Sequence, residues 1–383
     1  MSRPDFDLTD DELRAAGSIK WARPAPGVLP AWVAEMDVAP CPAVQAAVRS
    51  AVDAGRFGYP VTDAESPLPD ATAAFLGERF GWDVDPVSVV TTGDVMAGVT
   101  LVLERLCEPA PVVVPLPAYP PFLAAVPLAG RTVAPVPMLV QDGRWELDLA
   151  GIDAALADGA RTVLLANPHN PTGRAFTPAE LEGLRDVVHR HGARVISDEI
   201  HAPLVLPGAR HTPYASLPGA AAHTVTATAA SKAFNFPGLK CAQLVVGSGH
   251  DLATLRSLHH VSNHGVSSLG ITATVAAYSV GGPWLDGLLS EIADRRTLFT
   301  ERLADRLPRL RYSPGEATYL AWVDARGTGL DSPAAAALER AAVMLNPGRD
   351  FGAGYEGFVR VNLATSRERL ERVVERMALA FSE

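Results

Sequence analysis

Apolar residues along this chain follow two kinds of spacing. From about residue 85 to 250, short runs of consecutive apolar, mostly β-branched residues alternate with longer stretches in which apolar positions recur every three or four residues. The first pattern predicts buried strands and the second amphipathic helices. Val87-Ser88-Val89-Val90 reads as a strand that passes through Thr92-Gly93 into a helix opening at Asp94-Val95-Met96. Val112-Val113-Val114, Thr162-Val163-Leu164-Leu165, Arg194-Val195-Ile196-Ser197, the run 224–228 and Ala242-Gln243-Leu244-Val245-Val246 read as further strands. Thr177-Pro178-Ala179-Glu180 opens a helix, with Thr as N-cap, Pro in the first turn and Glu three residues on; it is predicted to reach His191 and stop at Gly192. This alternation predicts an α/β fold with a mainly parallel sheet between helices. Ligands of such sheets bind at the carboxyl ends of the strands.

The C-terminal third changes character. Helical spacing runs through about 265–280 and 284–307, followed by a strand at Thr318-Tyr319-Leu320-Ala321-Trp322-Val323 and a helix near 333–343. A strand at Phe358-Val359-Arg360-Val361-Asn362 and a helix from Arg367 complete it. We expect a small α+β domain over 281–383, a large domain over 46–280, and a proline-broken segment 1–45 that packs with the small domain. No internal repeat and no low-complexity tail is apparent.

Composition narrows the partners. A chain of 383 residues with 48% hydrophobic residues has ample core. Its net charge of −10 argues against nucleic acid or an anionic membrane as a partner. No apolar run approaches the roughly 20 residues of a membrane span, and Met1-Ser2-Arg3-Pro4-Asp5-Phe6-Asp7 is unlike a signal peptide. Cys41, Cys107 and Cys241 lack metal-ligand spacing and are expected to be reduced core cysteines of a cytoplasmic protein. The ten histidines include no HExxH pattern, so no metal site is expected.

Lysine usage points to chemistry. Only Lys20, Lys232 and Lys240 occur among 33 Lys and Arg residues. Arginine replaces lysine on surfaces but stays protonated, so it cannot serve as an amine nucleophile. Lys20, in Ser18-Ile19-Lys20-Trp21, is expected at the surface. Lys232 follows a strand directly, in Ser231-Lys232-Ala233-Phe234-Asn235. Three more polar features fall at strand ends: Asn167-Pro168-His169-Asn170-Pro171-Thr172-Gly173, Ser197-Asp198-Glu199-Ile200-His201, and Thr92-Gly93-Asp94-Val95. The two Asn-Pro steps disfavour helix, an unpaired strand-end carboxylate is costly, and a helix start offers N–H groups to a phosphate. Taken singly, each also suits a turn, a cap or an ion pair.

Together and in this order, these features resemble the fold-type I pyridoxal-phosphate enzymes. The resemblance implies pyridoxal 5′-phosphate as cofactor, with Asn170 at its O3′, Asp198 at its pyridinium nitrogen and Lys232 holding its aldehyde. It further implies that Tyr119 stacks on the ring and that His201 lies near O3′. Gly93, Asp94, Val95, Ser231 and Lys240 are assigned to the phosphate, as is Tyr59 from a neighbouring subunit of a homodimer with interfacial active sites. Arg360 is assigned to the α-carboxylate of a small amino-acid substrate, and Trp32 and Ala34 to the substrate side.

Leu29-Pro30-Ala31-Trp32-Val33-Ala34-Glu35-Met36-Asp37, Phe57-Gly58-Tyr59, Gly282-Pro283-Trp284-Leu285-Asp286 and His201 in place of tyrosine are similar to the cystathionine β-lyase branch. That implies β-elimination from L-cystathionine or a related L-cysteine S-conjugate. The alternatives are an aminotransferase and a regulatory protein that retains the fold. Two departures stand out: Lys240 occupies a position where many relatives carry arginine, and Asp94 puts a carboxylate at a phosphate site. Asp94 fits only if its side chain points away or caps the helix.

Overall fold

A computed structural model describes residues 4–382. Part of the polar N-terminus, Met1 to Arg3, lies outside the described residues. Seven strands form one sheet, in the order Val89–Thr92, Ala242–Val246, Thr224–Thr228, Arg194–Asp198, Thr162–Ala166, Val112–Leu116 and Val133–Pro137. All are parallel except Ala242–Val246, which runs antiparallel to both neighbours. The five strands Val89–Thr92, Val112–Leu116, Thr162–Ala166, Thr224–Thr228 and Ala242–Val246 are buried along their whole length, which is why they read as unbroken apolar or Thr-rich runs. Val133–Pro137 carries two prolines and lies at the sheet edge, where a missing N–H costs least.

A second, five-stranded sheet has the order Leu29–Ala31, Val343–Pro347, Phe358–Asn362, Leu320–Asp324 and Arg311–Tyr312. Leu29–Ala31 joins it by parallel pairing with Val343–Pro347. The final helix, Arg367–Phe381, packs on it through Leu370, Val373, Val374 and Met377. Among the described residues no helix is long and apolar enough to cross a membrane. The three cysteines are buried and free.

Two local expectations are corrected. The first strand begins at Val89, because Pro86–Ser88 forms a 3-10 turn capped by Asp85, whose carboxylate accepts from the Val87 N–H. Lys20 is buried, not at the surface: its ammonium lies 2.9 Å from Asp37 Oδ1 and donates to Glu35 O at 3.1 Å. Trp21 Nε1 donates to the same Asp37 oxygen at 2.7 Å. Burial pushes the Lys20 ammonium below its ordinary pKa, against the pull of Asp37.

Candidate active site

Strand register assembles the candidate residues. Ala166, Asp198 and Ala227 sit side by side at the carboxyl ends of three neighbouring parallel strands. Asn170 lies four residues past that row, His201 three past Asp198, and Lys232 five past Ala227. Thr92 ends at the same edge, opposite Ala242, which brings the Val95–Arg105 helix start and Lys240 to the rim. The result is a cavity of about 240 Å³. Tyr119, Asn170, Asp198, His201 and Lys232 line it, as do Arg360 and Ala34 from outside the large sheet. Asp94, Val95, Ser231 and Lys240 line its rim.

Three other candidates stand apart from the lining. Gly93 is buried one residue back, where a Cβ would lie 3.3 Å from Gly265 O. Trp32 reaches the site only through its carbonyl, which accepts from Arg360 at 3.0 Å. Tyr59 is fully exposed, at 101% of its reference accessibility.

Each polar group has a distinct electrostatic setting. Lys232 Nζ donates to Ala34 O at 2.8 Å, which the Tyr319 hydroxyl also reaches at 3.0 Å. Burial, reinforced by Arg360, lowers the Lys232 pKa to about 8, although Glu35 and Asp198 pull it up. Asp198 is buried and accepts from the Ile200 N–H at 3.0 Å. Burial raises its pKa to about 7, with Glu199 adding to the shift while the Ile200 bond and Lys232 oppose it. His201 is pushed down to about 3 by burial and by the charges of Lys232 and Arg360, so its ring is neutral, and its buried Nδ1 has no partner among the described residues. Burial and the Asp198 charge raise the Tyr119 phenol.

Among the described residues no carboxylate contacts the buried guanidinium of Arg360. It donates to Asn170 Oδ1 at 3.0 Å, Asn346 Oδ1 at 2.7 Å and Trp32 O, while its Nε has no partner. Burial lowers its pKa to about 10. A buried charge held only by neutral acceptors is ready for an anion.

At the rim, Asp94 caps its helix, with Oδ1 accepting from the Ala97 N–H at 2.8 Å and Oδ2 from Lys240 at 2.6 Å. Burial raises the Asp94 carboxyl, but the bonds from Lys240 and Ala97 outweigh it and hold the group below its ordinary range. The carboxylate is therefore turned to capping and pairing: it takes the Ala97 N–H of the first turn and Lys240.

Sequence reasoning missed three supports. Asn346 braces Arg360 from another strand of the small sheet, and no local motif marks it. Asn235, in the left-handed region at φ 58°, bonds both backbone groups of Met36, at 2.9 and 2.8 Å. It thereby ties the Lys232 loop to the segment bearing Trp32 and Ala34; its place in the Ser231–Asn235 motif was the available signal. Glu199 pairs with His211, at 2.8 Å, immediately behind Asp198.

Comparison with known proteins agrees with this geometry. The family model for aminotransferase class I and II matches residues 33–377. A cystathionine beta-lyase of Corynebacterium glutamicum is 39% identical, over 96% of this chain and 98% of its own. Cystathionine beta-lyase PatB of Bacillus subtilis is 34% identical, over 99% of this chain and 100% of its own. The crystal structure of cystalysin from Treponema denticola, which contains pyridoxal 5′-phosphate, superposes with a TM-score of 0.92 at 27% identity and covers 99% of both chains. Since the family model spans most of the chain and these relatives align along nearly all of it, the chain belongs to the aminotransferase class I and II family.

Proposed function

We propose that this protein is a pyridoxal-phosphate-dependent carbon–sulfur β-lyase that cleaves L-cystathionine or a related L-cysteine S-conjugate to a thiol, pyruvate and ammonia. The observation that carries it is one cavity holding an amine of lowered pKa, a buried carboxyl of raised pKa and a guanidinium with no carboxylate partner. Relatives named cystathionine beta-lyase along the full length support the reaction class.

The residues fit the cofactor. Asp198 is a buried acid with one backbone bond, which suits pairing with a ring N–H. The unpartnered Nδ1 of neutral His201 offers a further polar contact. Lys232 would hold the aldehyde, Asn170 the O3′ oxygen, Tyr119 the ring face, and Lys240 with the N–H groups near Val95 the phosphate. When bound, the cofactor supplies a carbonyl that condenses with amines and a ring that accepts an electron pair from the substrate Cα.

The chain's own groups do the rest. Arg360, braced by Asn346 and Trp32 O, receives the substrate α-carboxylate through its fork. Lys232, whose amine is part neutral near pH 8, takes the Cα proton and delivers a proton to the departing sulfur. Asp198 holds the proton at the ring nitrogen. Ala34 and Tyr119, which line the cavity, border the thioether. Overall, L-cystathionine and water give homocysteine, pyruvate and ammonia. The unit is a homodimer in which Tyr59 reaches the partner's phosphate, working in a cytoplasm that keeps Cys41, Cys107 and Cys241 reduced.

The family model itself favours a second reading, an aminotransferase, which uses the same lysine and aspartate. One assay separates them: purified protein is given L-cystathionine with and without a keto acid. Pyruvate and ammonia without the keto acid are expected; strict dependence on the keto acid defeats the lyase reading.

A further inference from the structure

Glu199 is a buried carboxylate that the mechanism above leaves unused. It follows Asp198 directly and is held on several sides. Ser197 Oγ donates to its Oε1 at 2.8 Å, the Tyr214 N–H donates to the same oxygen at 2.9 Å, and His211 Nε2 lies 2.8 Å from Oε2. The Glu199 N–H donates to Ala227 O at 2.8 Å, and Asp198 O accepts from the Asn167 N–H at 2.9 Å, so the backbone step between the two acids is tied to both neighbouring strands. The His211 side chain is 1% exposed, with the Phe80 ring edge-on at 5.0 Å.

The hydrogen bonds favour a net charge on this pair. Among the described residues His211 Nδ1 is buried without a partner. A neutral ring with its proton on Nε2 satisfies the contact, whereas a second ring proton would be a buried donor lacking an acceptor. Among the described residues no lysine or arginine pairs with Glu199. A glutamine would satisfy the donors from Ser197 and Tyr214 but would turn its NH2 toward His211 Nε2 and push the ring proton onto the buried Nδ1; beyond that contact, what Glu199 adds is negative charge, one residue from Asp198 in a poorly screened interior. That charge pushes the Asp198 carboxyl toward holding a proton.

We propose that Glu199, oriented by His211, is a positioning residue whose charge keeps a proton in the contact between Asp198 and the ring nitrogen of bound pyridoxal phosphate. The proposal rests on the cofactor assignment above. It acts only through the ring nitrogen, so it makes a prediction that a purely structural role does not. The full-length chain is stripped of cofactor and titrated with pyridoxal 5′-phosphate and with its 1-deaza analogue, in which that nitrogen is a carbon; the dissociation constants are read by protein fluorescence.

In Glu199→Gln the affinity for pyridoxal phosphate is expected to fall roughly tenfold, the worth of about one pKa unit, while the analogue binds as it does to the wild type. Equal losses for both ligands, or none for either, overturn the proposal. His211→Gln keeps both the Glu199 charge and a donor to it, so the preference for pyridoxal phosphate over the analogue is expected to persist. Loss of that preference overturns the proposal even if Glu199→Gln does not fold. A wild-type chain that binds neither ligand refutes the cofactor assignment instead.

Discussion

At the scale of single residues, the site is a set of groups whose pKa values burial moves from their ordinary range. Lys232 is where arginine cannot serve, because the proposed reaction needs a neutral amine. Lys232→Ala and Lys232→Arg should both lower pyruvate release from L-cystathionine by at least about 10³-fold; near-normal turnover in either removes the lysine from the mechanism. Asp198 yields a pH prediction for the cofactor-free protein. Its folded pKa of about 7 exceeds the unfolded value of about 3.9. Between those values the folded state binds more protons, so stability falls as pH rises through the window and levels off above 7. Asp198→Asn removes this loss. The variant should match the wild type near pH 4 and be more stable by roughly 3 kcal/mol at pH 8; urea unfolding at the two pH values measures it, and a constant difference contradicts the raised pKa. Arg360→Lys keeps the charge and loses the fork, so kcat/KM should drop about thirtyfold, through KM.

At the scale of elements, the parts legible in the sequence are those whose chemistry is local. Asn170, Asp198 and Lys232 each sit within a few residues of a buried apolar run, and strand register brings such positions to one edge. The capping box at Thr177 was legible for the same reason, since its partners are three residues apart. Supports drawn from distant parts of the chain were not legible. The burial of Lys20 against Asp37, the bracing of Arg360 by Asn346, and the pairing of Leu29–Ala31 with Val343–Pro347 depend on tertiary neighbours that periodicity does not encode. Asn235 shows the consequence. Its two bonds to Met36 fasten the strand-end loop of the large sheet to the segment that carries the acceptors for Lys232 and Arg360. Asn235→Ala loses both bonds and places alanine at positive φ, which should cost about 2–4 kcal/mol in stability and raise KM. Asn235→Gly tolerates the backbone and should fall between the two. Thermal unfolding and substrate saturation together test this; a variant that loses stability with KM unchanged would reduce Asn235 to a scaffold residue.

At the scale of the whole molecule, the chain alone leaves one candidate without a surrounding. Phe57, Tyr59 and Val61 lie exposed in one short segment, at 67%, 101% and 56%. Such a run suits the dimer surface proposed above, and the family resemblance directs Tyr59 to the phosphate of a neighbouring subunit. Lys240, the cation assigned to the phosphate, is already paired with Asp94. A second subunit that contributes a hydroxyl there makes cofactor binding depend on assembly. Sedimentation should therefore give twice the chain mass, and dilution toward the single chain should release cofactor. Tyr59→Phe removes one oxygen and keeps the ring: the dimer should persist, while affinity for pyridoxal 5′-phosphate falls roughly tenfold, as for loss of a hydrogen bond to a charged group. Pyridoxal without its phosphate has nothing for Tyr59 to hold, so its binding should be the same in variant and wild type. A single-chain mass, or an affinity that Tyr59→Phe leaves unchanged, would confine the site to one subunit and return Tyr59 to the surface.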